Sequence, residues 1–238
     1  MEFEGIVIRQ TSFKQDAAMI SVLTKDRIRS FLAKGVLKMT SKNAPSVNLF
    51  TKSLFQTFHG VEGDWLRVGK TISSYPNVTK DFEKLAILDF ISEITNTLVG
   101  DSDAKGLYEF LDKTLESLNG DFSPLTALLI YFAKVLIVAG YGLDVDSCVI
   151  CGKKDQISAL SYKDGGFICK NCFDGLNHVK TDPRKLKIIR YIFKVDVDNF
   201  QKIAFSNEEC LNIIFELSGF LNYVSQIEFK SLQLLKQI

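Results

Sequence analysis

The chain has 238 residues, 46% hydrophobic and 24% charged, which excludes an intrinsically disordered polypeptide and leaves room for one large domain or two smaller ones with real cores. Its formal charge of +1 hides an asymmetry: residues 1–75 carry 11 Lys and Arg against 6 Asp and Glu, and the remainder carries 18 against 22. Five cysteines, an odd number, argue against a disulfide framework, and "MEFEGIVIRQ" shows no secretory signal, so the expected compartment is the reducing cytoplasm.

From Phe3 to about Tyr75 the segments "FEGIVIRQTSF", "AMISVLTK", "RIRSFLAKG", "SVNLFTKSLFQTFHG" and "WLRVGKTISSY" are rich in β-branched and aromatic residues. Polar or glycine turns such as "VEGDW" break them, which predicts five short strands. Five strands in this length suggest a small barrel such as the OB-fold, a frequent binder of oligonucleotides. In the third segment, alternation puts Arg27, Arg29 and Phe31 on one face, opposite Ile28, Ser30 and Leu32. Two guanidinium groups beside a ring suit single-stranded nucleic acid, because cations track phosphates while the ring stacks a base. The plainer alternative is a solvated arginine pair with Phe31 half in the core. Lys34, Lys38 and Lys42 follow at intervals of four, as a helical face or as a flexible loop touching phosphates.

After "YPNV" the apolar spacing changes to three and four. "DFEKLAILDFISEITNTL", "AKGLYEFLDKTLESL", the stretch from Leu125 to Gly140 and "PRKLKIIRYIFK" predict helices. The Leu125 stretch is too short for a bilayer and contains Lys134, so a buried helix is expected. In the last helix Ser206 and Glu209 have capping-box spacing, and Cys210, Ile214, Leu217, Leu221 and Val224 share one face, which makes Cys210 a core residue.

Between these helices lies C-x2-C-x17-C-x2-C: Cys148, Cys151, Cys169 and Cys172. That spacing reads as a tetrahedral zinc site. Gly152 frees the backbone to bend after the second thiol, and "ISALSYKDGGFI" resembles two strands turning at Asp164, Gly165 and Gly166, which would bring the pairs together. Four thiolates leave no open coordination position, so one structural Zn2+ is expected; redox pairs or a site that has lost its metal are the alternatives. A zinc deaminase would need an H-x-E element that the chain lacks, and His178 reads as a surface residue rather than a ligand. No phosphate-binding, dinucleotide, metalloprotease or nucleophile-elbow motif is present, and His59 has no partner visible in the sequence, so no enzyme is expected.

Five features in this order, "GIVIRQTSFKQDAAMISVLTKD", the "AKG" turn with its trailing lysines, "LIVAGYGLDVDSCVICG", "SYKDGGFICKNC" and "EFKSLQLLKQI", resemble the RecO family of bacterial recombination-mediator and DNA-repair proteins. The resemblance implies an α+β multidomain architecture: a five-stranded OB-fold β-barrel over 1–78, then an α-helical domain over 79–238 with a four-cysteine zinc module at 144–180. It further implies binding of single- and double-stranded DNA, annealing of complementary strands, and cooperation with RecR and single-strand DNA-binding protein so that RecA can load, all without a membrane. On the matching positions, Cys148, Cys151, Cys169 and Cys172 correspond to the zinc ligands and Lys34, Lys38 and Lys42 to a basic segment; Leu37 stands where many members are basic. The family also captures the acidic, Phe-ended tail of single-strand DNA-binding protein, for which Lys187, Arg190 and Lys194, beside Ile189 and Phe193, are the candidate face; a solvated helix face is the plainer reading. A zinc-stabilised protein-interaction adaptor that does not bind DNA is the competing function.

Overall fold

Alternation through the basic third of the chain produces a closed barrel, in a computed structural model that describes residues 1–13, 15–61, 63–78, 81–99 and 104–238. Lys14, Glu62 of the "VEGDW" turn, residues 79–80 at the expected domain boundary and residues 100–103 lie outside the described residues. The strands are β1 (Glu2–Phe13), β2 (Ala17–Leu23), β3 (Ile28–Ala33), β4 (Lys52–Gly60) and β5 (Gly63–Ser73), in the order β1-β2-β3-β5-β4. Neighbours run antiparallel except β3 and β5, which meet in parallel at Leu32 and Trp65. Period-two alternation sends Ala18, Ile20 and Val22 of β2 inward, where Phe31 and Phe55 join them. The rings of Phe3, Phe31 and Phe55 fill one end with centroids 5.1–6.1 Å apart.

The expected strand from Ser46 begins six residues later, at Lys52. Ala44–Val47 form a 3-10 turn with Pro45 in its first positions, and Phe50 takes a φ of 57°, so the chain cannot run extended there.

Strand β1 is buried on both faces where it meets the helices: Val7 faces the barrel interior, while Ile6 and Ile8 face the helices, and a bulge follows between Val7 and Arg9. Ile8 C=O accepts hydrogen bonds from Ser92 Oγ (2.8 Å) and Asn96 Nδ2 (3.2 Å). Those donors sit on α1 (Phe82–Leu98), which is followed by α2 (Leu107–Asn119) and α3 (Pro124–Val138). Ser123 caps α3 with Pro124 in its first turn, and every residue from Leu125 to Leu136 is buried. Helix α3 is therefore the hub, touching α1, α2, α4 (Pro183–Lys194) and α5 (Asn207–Ser225); the short α6 (Leu232–Leu235) packs on α1. The Ser206/Glu209 capping box forms as expected, and Cys210, Ile214, Leu217 and Leu221 are buried, but Val224, in the last turn of α5, is 45% exposed.

Between α3 and α4 a three-stranded sheet forms from β6 (Asp144–Cys148), β7 (Ile157–Ser161) and β8 (Gly166–Cys169), ordered β6-β8-β7. The predicted β7–β8 hairpin is present, turning through Gly165 at φ 82°. Strand β6, parallel to β8, is additional: its "DVDSC" lacks the β-branched run that would announce a strand.

Candidate nucleic-acid interface and metal centre

The metal centre is built from two similar turns. Cys148 ends β6, its N–H donates to Lys153 O (2.7 Å), and Gly152 N–H donates back to Cys148 O (2.8 Å). Gly152 has a φ of 75°, a conformation a side chain would resist. Cys169 ends β8, and Cys172 N–H closes the second turn on its carbonyl at 3.1 Å. The four Sγ atoms lie within 4.8 Å of one another, with Cys151 and Cys169 at 3.6 Å. Tetrahedral zinc with sulfurs about 2.3 Å away requires edges of about 3.8 Å, so the thiols fit one such ion and would saturate it.

Electrostatics point the same way. Burial opposes ionisation of Cys148, but the backbone N–H groups of Cys169, Cys151 and Ile150 bring its thiol down to about 6. Cys172, against the Cys151 thiol, is pushed up to about 12. Thiols this close all ionise only if a cation compensates them. His178 is spoken for: Nδ1 accepts from Asp174 N–H (3.0 Å) and Nε2 faces Asp164 Oδ2 (3.0 Å). Its side chain is 7% exposed, so it is not the expected surface residue but a brace between the second turn and the β7–β8 hairpin. Cys210 lies apart, 0% exposed, its thiol pushed up by burial to about 11.

On the barrel, alternation in β3 is as expected but its face is the interior. Phe31 is 1% exposed and packs on Phe55, so it offers no ring to a base. Arg29 closes the barrel end, with its guanidinium 5.1 Å from the Phe3 centroid and 3.6 Å from Asp26. Arg27, exposed, lies against Asp26 at 3.3 Å. Together they line a cleft of about 310 Å³ with Asp64. Lys34, Lys38 and Lys42 fall in a succession of turns rather than on a helix. Lys38 pairs with Asp16 at 3.3 Å. Asn43 ties the loop to β5, accepting from Gly69 N–H (3.1 Å) and donating to Arg67 O (3.4 Å). That tie brings Lys42 toward Arg67 and Lys70, residues that sequence reasoning missed; all three are exposed or half-buried, and none is paired with a carboxylate among the described residues. The β4–β5 hairpin follows the two strands and the "VEGDW" turn expected from the sequence, but the juxtaposition within it was missed: Phe58 stands opposite Trp65, and Lys34 Nζ lies 3.9 Å from the Trp65 ring centroid. The signal was the symmetrical placing of two aromatic residues about a glycine turn in "FHGVEGDW". His59 finds its partner in the same hairpin, at 2.9 Å from Asp64.

Lys187, Arg190 and Lys194 share a groove of about 770 Å³ along α4 with Tyr191, Val195 and Ile203. Ile189 and Phe193, expected to supply its apolar contacts, are buried in the helical core; Tyr191, Val195 and Ile203 take that place. Arg190 donates to Asp146 O (2.9 Å) and Lys194 pairs with Asp146 Oδ2 (2.8 Å), which anchors α4 to β6.

The family model described as Recombination protein O C terminal matches residues 79–233. Similar proteins include the DNA repair protein RecO of Halalkalibacterium halodurans, 25% identical over 99% of this chain and 94% of that protein. The DNA repair protein RecO of Thermoanaerobacter sp. is 26% identical over 97% and 95%, respectively. That of Caldanaerobacter subterraneus is 28% identical over 97% and 95%.

Proposed function

Because the chain belongs to the RecO family of DNA repair proteins, we propose that it is a recombination mediator that binds single- and double-stranded DNA, anneals complementary strands and helps RecA load where single-strand DNA-binding protein coats the strand. The observation that carries this reading is the basic wall of the barrel. Lys34, Lys38 and Lys42 project from a loop fastened to β5 beside Arg67 and Lys70, while Arg27 and Arg29 stand at the barrel end. Side chains of this type hold phosphates without reading sequence, which is what annealing of arbitrary complements requires. Neutralised phosphates repel each other less, and bases left free can pair.

Cys148, Cys151, Cys169 and Cys172 would hold one Zn2+, which stiffens the β6–β8 sheet against α4. With a barrel over 1–78 gripping DNA, the helical region over 79–238 is left for partners, RecR among them. The α4 groove, with four cations (Lys187, Arg190, Lys194 and Lys202) against one carboxylate, Asp196, around Tyr191, Val195 and Ile203, suits an acidic peptide ending in an aromatic residue, the chemistry of the single-strand DNA-binding protein tail. The place of action is the bacterial cytoplasm, on DNA; among the described residues no helix is long and apolar enough to cross a membrane.

The test is a salt titration of binding to a single-stranded oligonucleotide. The slope of log affinity against log salt is expected at about −0.7 per neutralised phosphate, and Lys34→Glu/Lys38→Glu/Lys42→Glu should flatten it by about 2 and weaken binding at least tenfold. Arg29 is left intact because its half-buried position would confound folding. A salt-independent affinity, or no affinity with partner capture retained, favours the adaptor reading instead.

A further inference from the structure

The β4–β5 hairpin carries a feature that phosphate binding does not explain. Phe58 and Trp65 are directly opposite in the strand register, with exposed Phe58 on the outer face and the indole leaning toward Gly60. Phe58 is 51% exposed, although nothing in the barrel prevents a polar residue there. The Trp65 indole lies with its pyrrole edge on Gly60: a Cβ at that position would come within 2.7 Å of Nε1, so glycine lets the ring lie down on the strand and fixes its orientation. Over the ring, at 3.9 Å, sits the ammonium of exposed Lys34, the first lysine of the basic loop.

We propose that Phe58 and Trp65 form a base-stacking platform for single-stranded DNA, with Lys34 as its removable cover. The inference rests on the DNA-binding reading above and adds the residues that meet the bases. Charge selects the occupant: Lys34 covers the indole and exposed Arg67 follows Trp65 by two residues on β5, and a polyanion whose monomers each carry a flat π-face satisfies cations and rings together. In the free protein Lys34 occupies the indole. Stacking of a base on an aromatic ring is worth more than an exposed cation–π contact. An arriving base therefore displaces the ammonium, which swings to the adjacent phosphate, so one lysine serves the ring before binding and the backbone after it. Duplex DNA, whose bases are already stacked, gains nothing from the rings.

Trp65 is the one tryptophan in the chain, so its fluorescence reports on this site alone. The full-length protein is titrated with an oligothymidylate and with an abasic oligonucleotide of equal length, following binding by anisotropy of the labelled strand and stacking by tryptophan emission. Oligothymidylate is expected to quench the emission, whereas the abasic strand binds more weakly and leaves it nearly unchanged. Trp65→Ala and Phe58→Ala should each lose about tenfold in affinity for oligothymidylate with the salt slope preserved, and Trp65→Phe should retain most of it. Circular dichroism establishes that the variants fold; the Phe58 change, at an exposed position, guards against a misfolded Trp65→Ala. Equal quenching by both strands, or wild-type affinity in both alanine variants, overturns the platform while salt-dependent binding keeps the mediator reading intact. Absence of binding to either strand overturns both.

Discussion

Cys148 and Cys210 are both buried, at 1% and 0% exposure, yet the structure gives them opposite chemistry. Cys148 is surrounded by three other sulfurs and by backbone N–H groups that favour its thiolate, whereas Cys210 has only Thr126 Oγ1 at 3.6 Å in an apolar core. Cys148→Ser should abolish metal binding, measured as zinc per chain, and lower the thermal midpoint together with it, because a closed site contributes its binding free energy to folding. A chelator should do the same to the unmodified protein. Cys210→Ser should cost roughly 1–3 kcal/mol in denaturant melts, the penalty for a buried hydroxyl, with full metal content retained. Zinc lost from Cys210→Ser, or kept by Cys148→Ser, would contradict the assignment.

At the level of elements, α3 is unusual in carrying Lys134, only 9% exposed, among apolar residues. Its Nζ donates to Phe193 O (2.9 Å) and lies 4.9 Å from the Phe110 ring centroid, which fixes the C-terminal end of α4 to the hub. Burial brings its pKa down to about 8, against the favourable field of Asp196. Between about pH 8 and 10.5 the unfolded chain holds this proton more tightly than the native one, so stability rises with pH through that window. Below pH 8 the full penalty, about 3 kcal/mol, is present. Lys134→Met should flatten that rise and stabilise the protein at pH 7 by roughly 1–2 kcal/mol, since about 1 kcal/mol returns as an unsatisfied Phe193 carbonyl. Urea melts from pH 7 to 10.5 check this; an unchanged slope in the variant would place the charge elsewhere.

For the molecule as a whole, the barrel and the helices share a core rather than a linker. Ile6, Ile8, Leu23 and Ile28 belong to the same apolar cluster as α1 and α3. A polar clamp edges that seam: Asp112 accepts from Lys52 Nζ (2.7 Å) and Tyr75 OH (2.6 Å), and Tyr108 OH donates to Glu4 at 2.6 Å. Unfolding should therefore be a single transition. Asp112→Ala leaves the Lys52 ammonium with the more distant Glu4 (3.8 Å) and deprives the Tyr75 hydroxyl of its acceptor, and should lower stability by about 2 kcal/mol. Calorimetry showing two separate transitions in the unmodified protein would disprove the shared core.

The sequence by itself determined the local features, because each depends on neighbours in the chain. The two-residue period of the barrel strands, the helices after "YPNV", the Ser206/Glu209 cap and the Cys148–Cys172 spacing are all short-range signals, and the structure realises them. Period two says that Arg29 and Phe31 share a face, but only barrel closure decides that this face is the inside. Likewise Phe58 comes opposite Trp65 through the β4–β5 pairing, and Lys34 meets the indole through the β3–β5 pairing of Leu32 with Trp65, which no local pattern encodes. Ile189 and Phe193 gave way to Tyr191, Val195 and Ile203 for the same cause: α4 turns its most apolar stripe to α3, because burying that area from water outweighs leaving it in a groove.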